Sequence, residues 1–409
     1  MKIVLRLHTI NKSVCLIAFS DFGLGRGEYL AKAMKATGLE VLVVTNKPIY
    51  TESFKMIKNT LSKNKIDVLE IPLPRLPYKS SIFSRLIQYL LFMIFSFFIL
   101  LKSHRSFTFY YSRSPHPFTD VTCIMLKLFK GGKIVSDITD LWPDALDYMQ
   151  INVFLKRILI LFGNAVNSFT WSKLDAIVTH NEIMAHILSR RSGRRVHVIY
   201  GVIDLEKFKP MPKYEAVQEL PEELKERFDR EFVVLYAGLL GPFQNPEVIL
   251  KLAQLTKNEN ILFVIIGTGP LKDNLIKEKE KQQLNNILFL NPVSHSLMPI
   301  IYNMADVFLL TYMPTNFLRI GLPKKFIEYA ACGKPIICIT PECVASKLCE
   351  KWNAGYHVPP DKIEEAAHVI LELRSNENLR KMLGNNARKM AESLFSIEKA
   401  KEELQVILI

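Results

Sequence analysis

Gly321-Leu-Pro-Lys-Lys-Phe-Ile-Glu-Tyr-Ala-Ala-Cys-Gly-Lys-Pro335 is the stretch from which the fold is read. Pro323 suits the first position of a helix, where a backbone N–H would have no partner anyway. Gly333 suits the helix stop, and Pro335 opens the next strand. The free amides at such a helix start carry partial positive charge. Lys324 or Lys325 adds a full charge there, suited to a diphosphate. Glu328 lies one turn further on, and a carboxylate accepts hydrogen bonds from both hydroxyls of a ribose. A solvated Lys324–Glu328 pair, worth ~0.3–0.5 kcal/mol, explains the same spacing without any ligand.

Outward from this helix and strand, both halves of the chain repeat strand, turn, helix. In the first half Ser13–Ser20, Val41–Thr45, Phe107–Tyr111, Lys133–Asp137 and Ala176–Thr179 are short β-rich runs. In the second half the runs are Phe232–Ala237, Ile261–Gly267, Ile287–Leu290, Val307–Thr311 and Pro335–Ile339. Alternating β and α patterns predict parallel sheets covered on both faces. The expected fold class is α/β, two doubly wound Rossmann-like domains facing across a cleft, with Pro210–Arg230 as the linker. Ligands of such sheets bind at the carboxyl ends of the strands.

Three glycine turns fall at those ends. Asp21-Phe-Gly-Leu-Gly-Arg-Gly27 follows the first strand and opens a helix near Glu28. It reads equally as an anion-binding helix start or as a tight strand-to-helix turn. Its G-x-G-x-G spacing is not the dinucleotide fingerprint, and no acidic residue ends the next strand. Ala237-Gly-Leu-Leu-Gly241 and Gly267-Thr-Gly-Pro270 follow strands of the second half. Two such turns on one sheet favour a nucleotide cleft.

The 409 residues suit two domains. Hydrophobic residues at 49% and charged residues at 23% exclude a disordered chain. The net charge of +13 is unevenly placed. Residues 1–204 carry 27 Lys and Arg against 14 Asp and Glu, and residues 205–409 carry 26 of each. The six cysteines lack metal-ligand spacing and read as reduced core residues of a protein on the cytosolic side. The N-terminus reads as strands, not as a signal peptide. Leu86–Leu101 is almost wholly apolar and flanked by cations. At ~24 Å it is short for a bilayer core, which leaves a buried helix, an interfacial helix or a span. Val153–Trp171 mixes Lys156 and Arg157 with large apolar residues and also suits a headgroup surface. An anionic membrane surface is therefore the expected partner of the basic half. No nucleic-acid module appears, so nucleic acid is not.

Four stretches together resemble family 4-type retaining glycosyltransferases of the GT-B fold, in the branch that builds surface glycans or acts on lipid-linked sugars. They are the loop near Gly23–Gly27, Asp140-Leu-Trp-Pro-Asp144, Val198-Ile-Tyr-Gly-Val-Ile-Asp-Leu-Glu-Lys-Phe208, and Pro323–Pro335. The resemblance implies that Glu328 holds the nucleotide ribose and that His116, at the end of a first-domain strand, lies close to the transferred sugar. A partly buried strand-end histidine is the plain alternative for His116. The resemblance also implies an acceptor-binding, membrane-facing domain over residues 1–205, a nucleotide-sugar domain over 206–395, and a helix over 396–409 crossing back. Substrate contacts are expected from Gly23, Gly25, Arg26, Asp140, Gly238, Gly241, Gly267, Gly269, Lys324 and Lys325.

Two departures stand out. The first of the usual two glutamates is replaced by Ile320, and the loop Gly238–Asn245 carries no cation where the family grips the diphosphate. Lys325 is the expected substitute. No Asp-x-Asp occurs, which argues against a metal-dependent transferase of the other common fold, so neither metal nor cofactor is expected. The expected activity is sugar transfer from a nucleotide-diphosphate donor to a lipid-linked or glycolipid acceptor at the cytoplasmic membrane face. A nucleotide-sugar epimerase of the same fold and an inactive GT-B subunit are the alternatives.

Overall fold

Phe232–Ala237 and Ile261–Ile266 are buried at every position, as parallel strands covered on both faces require. A computed structural model describes residues 12–46, 58–74, 82–113, 117–144, 146, 152–220, 222–315 and 319–409. The chain divides into two units, Met1–Tyr200 with Ala400–Ile409, and Gly201–Lys399. In the first unit the strands are β1 (Ser13–Ala18), β2 (Glu40–Asn46), β3 (Asp67–Ile71), β4 (Phe109–Arg113), β5 (Lys133–Asp137), β6 (Ala176–Thr179) and β7 (Val196–Val198). Their order in the sheet is β3-β2-β1-β4-β5-β6-β7, with parallel neighbours throughout. The second unit has β8 (Phe232–Ala237), β9 (Ile261–Ile266), β10 (Ile287–Leu290), β11 (Val307–Thr311), β12 (Ile336–Ile339) and β13 (Gly355–Val358). These are ordered β10-β9-β8-β11-β12-β13 and are again parallel. Each unit is thus the doubly wound sheet the alternating pattern predicts.

The second core gathers Val234, Phe263, Leu309, Ile337, Ile370 and Leu383 between sheet and helices. Burying each such side chain contributes about 1.5–3 kcal/mol before entropy is counted. All six cysteines are buried and unpaired. Ala400–Ile409, the end of helix Ile397–Leu408, belongs to the first unit. There Leu404 and Leu408 are buried and Lys12 Nζ donates to the carbonyl of Ile409 at 3.0 Å.

Two local readings change. Pro210–Arg230 is not an extended linker but holds helices Lys213–Val217 and Glu222–Arg230. Its charges, which suggested a solvated link, pair one helical turn apart: Arg230 with Glu226 at 2.8 Å and Arg227 with Glu231 at 2.7 Å. Phe228 anchors the second helix in the core. The glycines of Gly23–Gly27 lie inside helix Ser20–Ala36 rather than in a turn ahead of it. Tyr29, Leu30, Ala33 and Met34 give that helix a buried face. Such packing outweighs the ~1 kcal/mol that each interior glycine costs.

Glycine at 267 is a steric necessity. A Cβ there would stand 1.9 Å from the carbonyl oxygen of Gly238, whose own φ is +141°. Gly267→Ala should lower stability by about 1–3 kcal/mol or more by overpacking, read by thermal and urea unfolding. Gly321→Ala, whose Cβ would meet nothing within 4 Å, should be close to neutral.

Candidate active site

From β8 the second sheet extends one way through β9 and β10, and from β11 the other way through β12 and β13. A crevice therefore opens where the order reverses, at the carboxyl ends of β8 and β11. A cavity of about 350 Å³ lies there. Gly238 and Gly267, from the turns after β8 and β9, form one wall, and Pro292 and Val293, after β10, form another. Tyr302, Lys325 and Glu328 bring the polar groups. Lys325 and Glu328 come from helix Lys324–Ala331, with Pro323 just ahead of it as the N-cap rather than its first helical residue.

Glu328 is only 4% exposed and still charged. Burial alone would raise its pKa, but hydrogen bonds and nearby cations hold it below the usual carboxylate range. Its Oε1 meets His295 Nε2 at 2.8 Å and Lys324 Nζ at 3.3 Å, and its Oε2 accepts from Tyr302 Oη at 2.9 Å. Lys324 also reaches His295 Nε2 at 3.1 Å. Tyr302, on helix Met298–Asn303, is itself buried against Tyr329 and Phe308 in edge-to-face contacts. The carboxylate is thus fixed in orientation at the cavity wall.

Lys325 is the opposite case. Its ammonium is buried, no described group hydrogen-bonds to it, and it rests 4.0 Å from the centre of the Tyr236 ring. A Cβ on Gly238 would stand 2.6 Å from its Nζ and push the lysine aside, and the φ of +141° there also favours glycine. Burial pulls its pKa down to about 7, only partly offset by Glu328. A buried cation without an anionic partner, aimed at a glycine turn, is built to receive negative charge.

Of the residues expected from sequence, Gly238, Gly267, Lys325 and Glu328 line one cavity, and Lys324 stands beside it on Glu328. Gly241 and Gly269 brace the same turns: a Cβ at either would strike Gln244 or the backbone of Leu240. Arg26 and Asp140 belong to the first unit. Arg26 meets both oxygens of buried Asp137, at 3.0 and 3.1 Å, and donates to the carbonyls of Ile199 and Tyr200. Arg113 approaches the same carboxylate at 3.3 Å, and the two arginines hold Asp137 ionised despite burial. Burial raises the pKa of Asp140, with Arg113 opposing, and drives His180 down to about 3, leaving it neutral. Gly23 and Gly25 are helical, and His116 lies outside the described residues. Sequence reading missed Tyr302, His295, Tyr236, Arg113 and Asp137. No spacing rule links Tyr302 to Glu328 across 26 residues.

Residues 219–390 match the family Glycosyl transferases group 1. That match lies wholly within the second unit. An uncharacterized glycosyltransferase of Methanocaldococcus jannaschii is 22% identical over 62% of this chain and 63% of its own length. A probable glycosyltransferase of Pseudomonas aeruginosa is 24% identical over 62% of each chain. The chain thus spans less than two thirds of the length of these relatives. A putative colanic acid biosynthesis glycosyl transferase of Escherichia coli is 23% identical over 85% of this chain and 88% of its own. Among solved structures, sucrose-phosphate synthase of Thermosynechococcus elongatus superposes with a TM-score of 0.70 at 15% identity, covering 97% of this chain and 98% of the other. HepE of Anabaena in complex with UDP-glucose gives 0.69 at 14% identity, covering 97% and 99%. At such identities the likeness shows the fold alone, a GT-B pair of Rossmann-like domains.

Lys325 gives a test that needs no ligand. Its folded pKa lies below its unfolded one, so the unfolded chain binds the extra proton between the two values. Stability should therefore rise with pH from about 7 toward 10, relative to Lys325→Met, as the folded chain sheds the buried charge. Melting temperatures of the two proteins over that range measure it. A constant difference would place the ammonium in solvent.

Proposed function

We propose that the chain is a glycosyltransferase that draws its sugar from a nucleotide-diphosphate donor held in the cavity of the second unit. The observation that carries this reading is the pairing, in one cavity, of a fixed carboxylate and an unpartnered buried ammonium one turn apart. Glu328 accepts from the ribose hydroxyls. Lys325 and the start of its helix stabilise the diphosphate as it leaves and positive charge develops at the anomeric carbon. That assigns to protein groups the role a metal ion fills elsewhere. Retention of anomeric configuration follows from the resemblance to family 4-type enzymes. A hexose is the expected sugar, and UDP, the nucleotide in the HepE complexes, is the first base to test.

The acceptor is a lipid-linked or glycolipid glycan at the cytoplasmic membrane face, with the chain peripheral to the bilayer. Support comes from the basic first half and from relatives named for colanic acid and O-antigen synthesis. A soluble acceptor would leave the donor assignment standing.

Glu328→Gln should weaken binding of nucleoside and nucleotide diphosphate alike by ~1.5–3 kcal/mol, since both present the ribose. Calorimetric titration against UDP and uridine measures it, with the fold checked by circular dichroism. A folded variant with undiminished affinity would move the nucleotide to another site.

A further inference from the structure

Helix Val153–Lys173 is built inside out. Its buried residues are Gly163, Asn167, Thr170 and Trp171, a stripe one helical face wide. Gly163 lies so close to Trp142 that a Cβ would meet that ring at 2.5 Å, and Asn167 Nδ2 donates to the carbonyl of Trp142 at 2.5 Å. The inner stripe is thus mostly small or polar. The outward faces carry Phe154, Leu155, Ile158, Leu161, Phe162 and Phe169, with Phe154 74% and Leu161 70% exposed. A helix covered by water shows the reverse arrangement.

The surface continues on two neighbouring helices. The connections β3 to β4, β4 to β5 and β5 to β6 all step the same way along the sheet, so right-handed crossovers place their helices on one face. Helix Ile82–Lys102 buries Phe92, Phe97 and Leu100 as core and exposes Ile94, Phe95 and Phe98. Helix Phe118–Lys130 ends in exposed Leu128 and Phe129, the latter ring 5.9 Å from that of Phe97. The only acidic residue in the three helices is buried Asp120, while Lys156, Arg157, Lys173 and Lys102 are basic. Exposed apolar area on helices whose exposed charges are all basic complements an anionic, amphiphilic surface.

We propose that this helix layer is where the chain lies on an anionic lipid bilayer, with Val153–Lys173 in the plane of the headgroups. The packing of Gly163 and Asn167 on Trp142 ties the middle of the helix to the first unit, which a spanning helix could not keep. The proposal deepens the peripheral-membrane part of the proposed function and does not depend on the donor assignment.

The full chain, mixed with vesicles of phosphatidylglycerol and phosphatidylcholine in equal parts, should cosediment with them and bind pure phosphatidylcholine less. Phe154→Ser, Leu161→Ser, Phe162→Ser and Phe169→Ser combined should weaken vesicle binding by about tenfold or more, with UDP affinity unchanged. Lys156→Gln with Arg157→Gln should narrow the preference for anionic vesicles. Should the fourfold variant unfold, Leu161→Cys carrying a polarity-sensitive fluorophore reads the same contact: its emission should shift to the blue with anionic vesicles. A folded fourfold variant that binds vesicles as before, or a label that does not shift, would overturn the proposal. So would a lipid-free dimer that the fourfold variant dissociates, since the face would then belong to a second copy. Loss of UDP binding by Glu328→Gln with vesicle binding intact supports both readings. UDP binding untouched by Glu328→Gln, with vesicle binding intact, sinks the donor assignment alone.

Discussion

Glu328 keeps a negative charge in a place where an unsupported carboxylate would take up a proton. Three chain segments supply what prevents this: the loop after β10 through His295, helix Met298–Asn303 through Tyr302, and its own helix through Lys324. Each partner is placed by a different part of the sheet's carboxyl edge. Satisfying one buried charge therefore fixes the loop, both helices and the aromatic stack of Tyr302, Phe308 and Tyr329 relative to one another. The cavity wall inherits its shape from that network.

Lys325 depends on the same frame but lacks an anion. Its helix is held in place by Glu328 and by Tyr329, whose hydroxyl accepts from the backbone amide of Ala237. The ammonium is left against the Tyr236 ring, a contact worth about 2 kcal/mol when desolvated and too little to replace lost hydration. On the proposed reading a diphosphate supplies the missing charge. This accounts for a turn after β8 made of Gly238, Leu239 and Leu240 rather than cations: the positive charge arrives from the helix across the cavity, and glycine at 238 makes room for it.

Much of this was legible in the sequence because the signals were local. Continuous apolar runs such as Phe232–Ala237 mark strands buried on both faces, and the one-turn spacing from Lys324 and Lys325 to Glu328 puts charge at a helix start. What stayed hidden was non-local or weakly patterned. β3, β7 and β13 are short and carry Asp67, Glu70, His197 or His357, so they show no clean alternation. The helices of Pro210–Arg230 are held by ion pairs and one buried phenylalanine, which composition alone reads as a link. His295 and Tyr302 reach Glu328 from 33 and 26 residues away. The apolar stretch Leu86–Leu101 left core, interface and span open, and the structure gives it a core face and an exposed edge. The inverted pattern of Val153–Lys173 emerges only once Gly163 and Asn167 are seen to face Trp142.

The two units differ in chemistry: one carries a cavity into which a fixed carboxylate and a buried ammonium are set, the other exposes apolar helix faces beside lysines and arginines. The claim on which the functional account turns is that Glu328 and Lys325 hold the two ends of one nucleotide diphosphate. A crystal structure of the chain with UDP bound tests it most directly. Both ribose hydroxyls should lie within hydrogen-bond distance of Glu328, with the diphosphate drawn against Lys325 Nζ beside Gly238. A nucleotide bound elsewhere, or phosphates out of reach of Lys325 while the ammonium still rests on Tyr236, would contradict it.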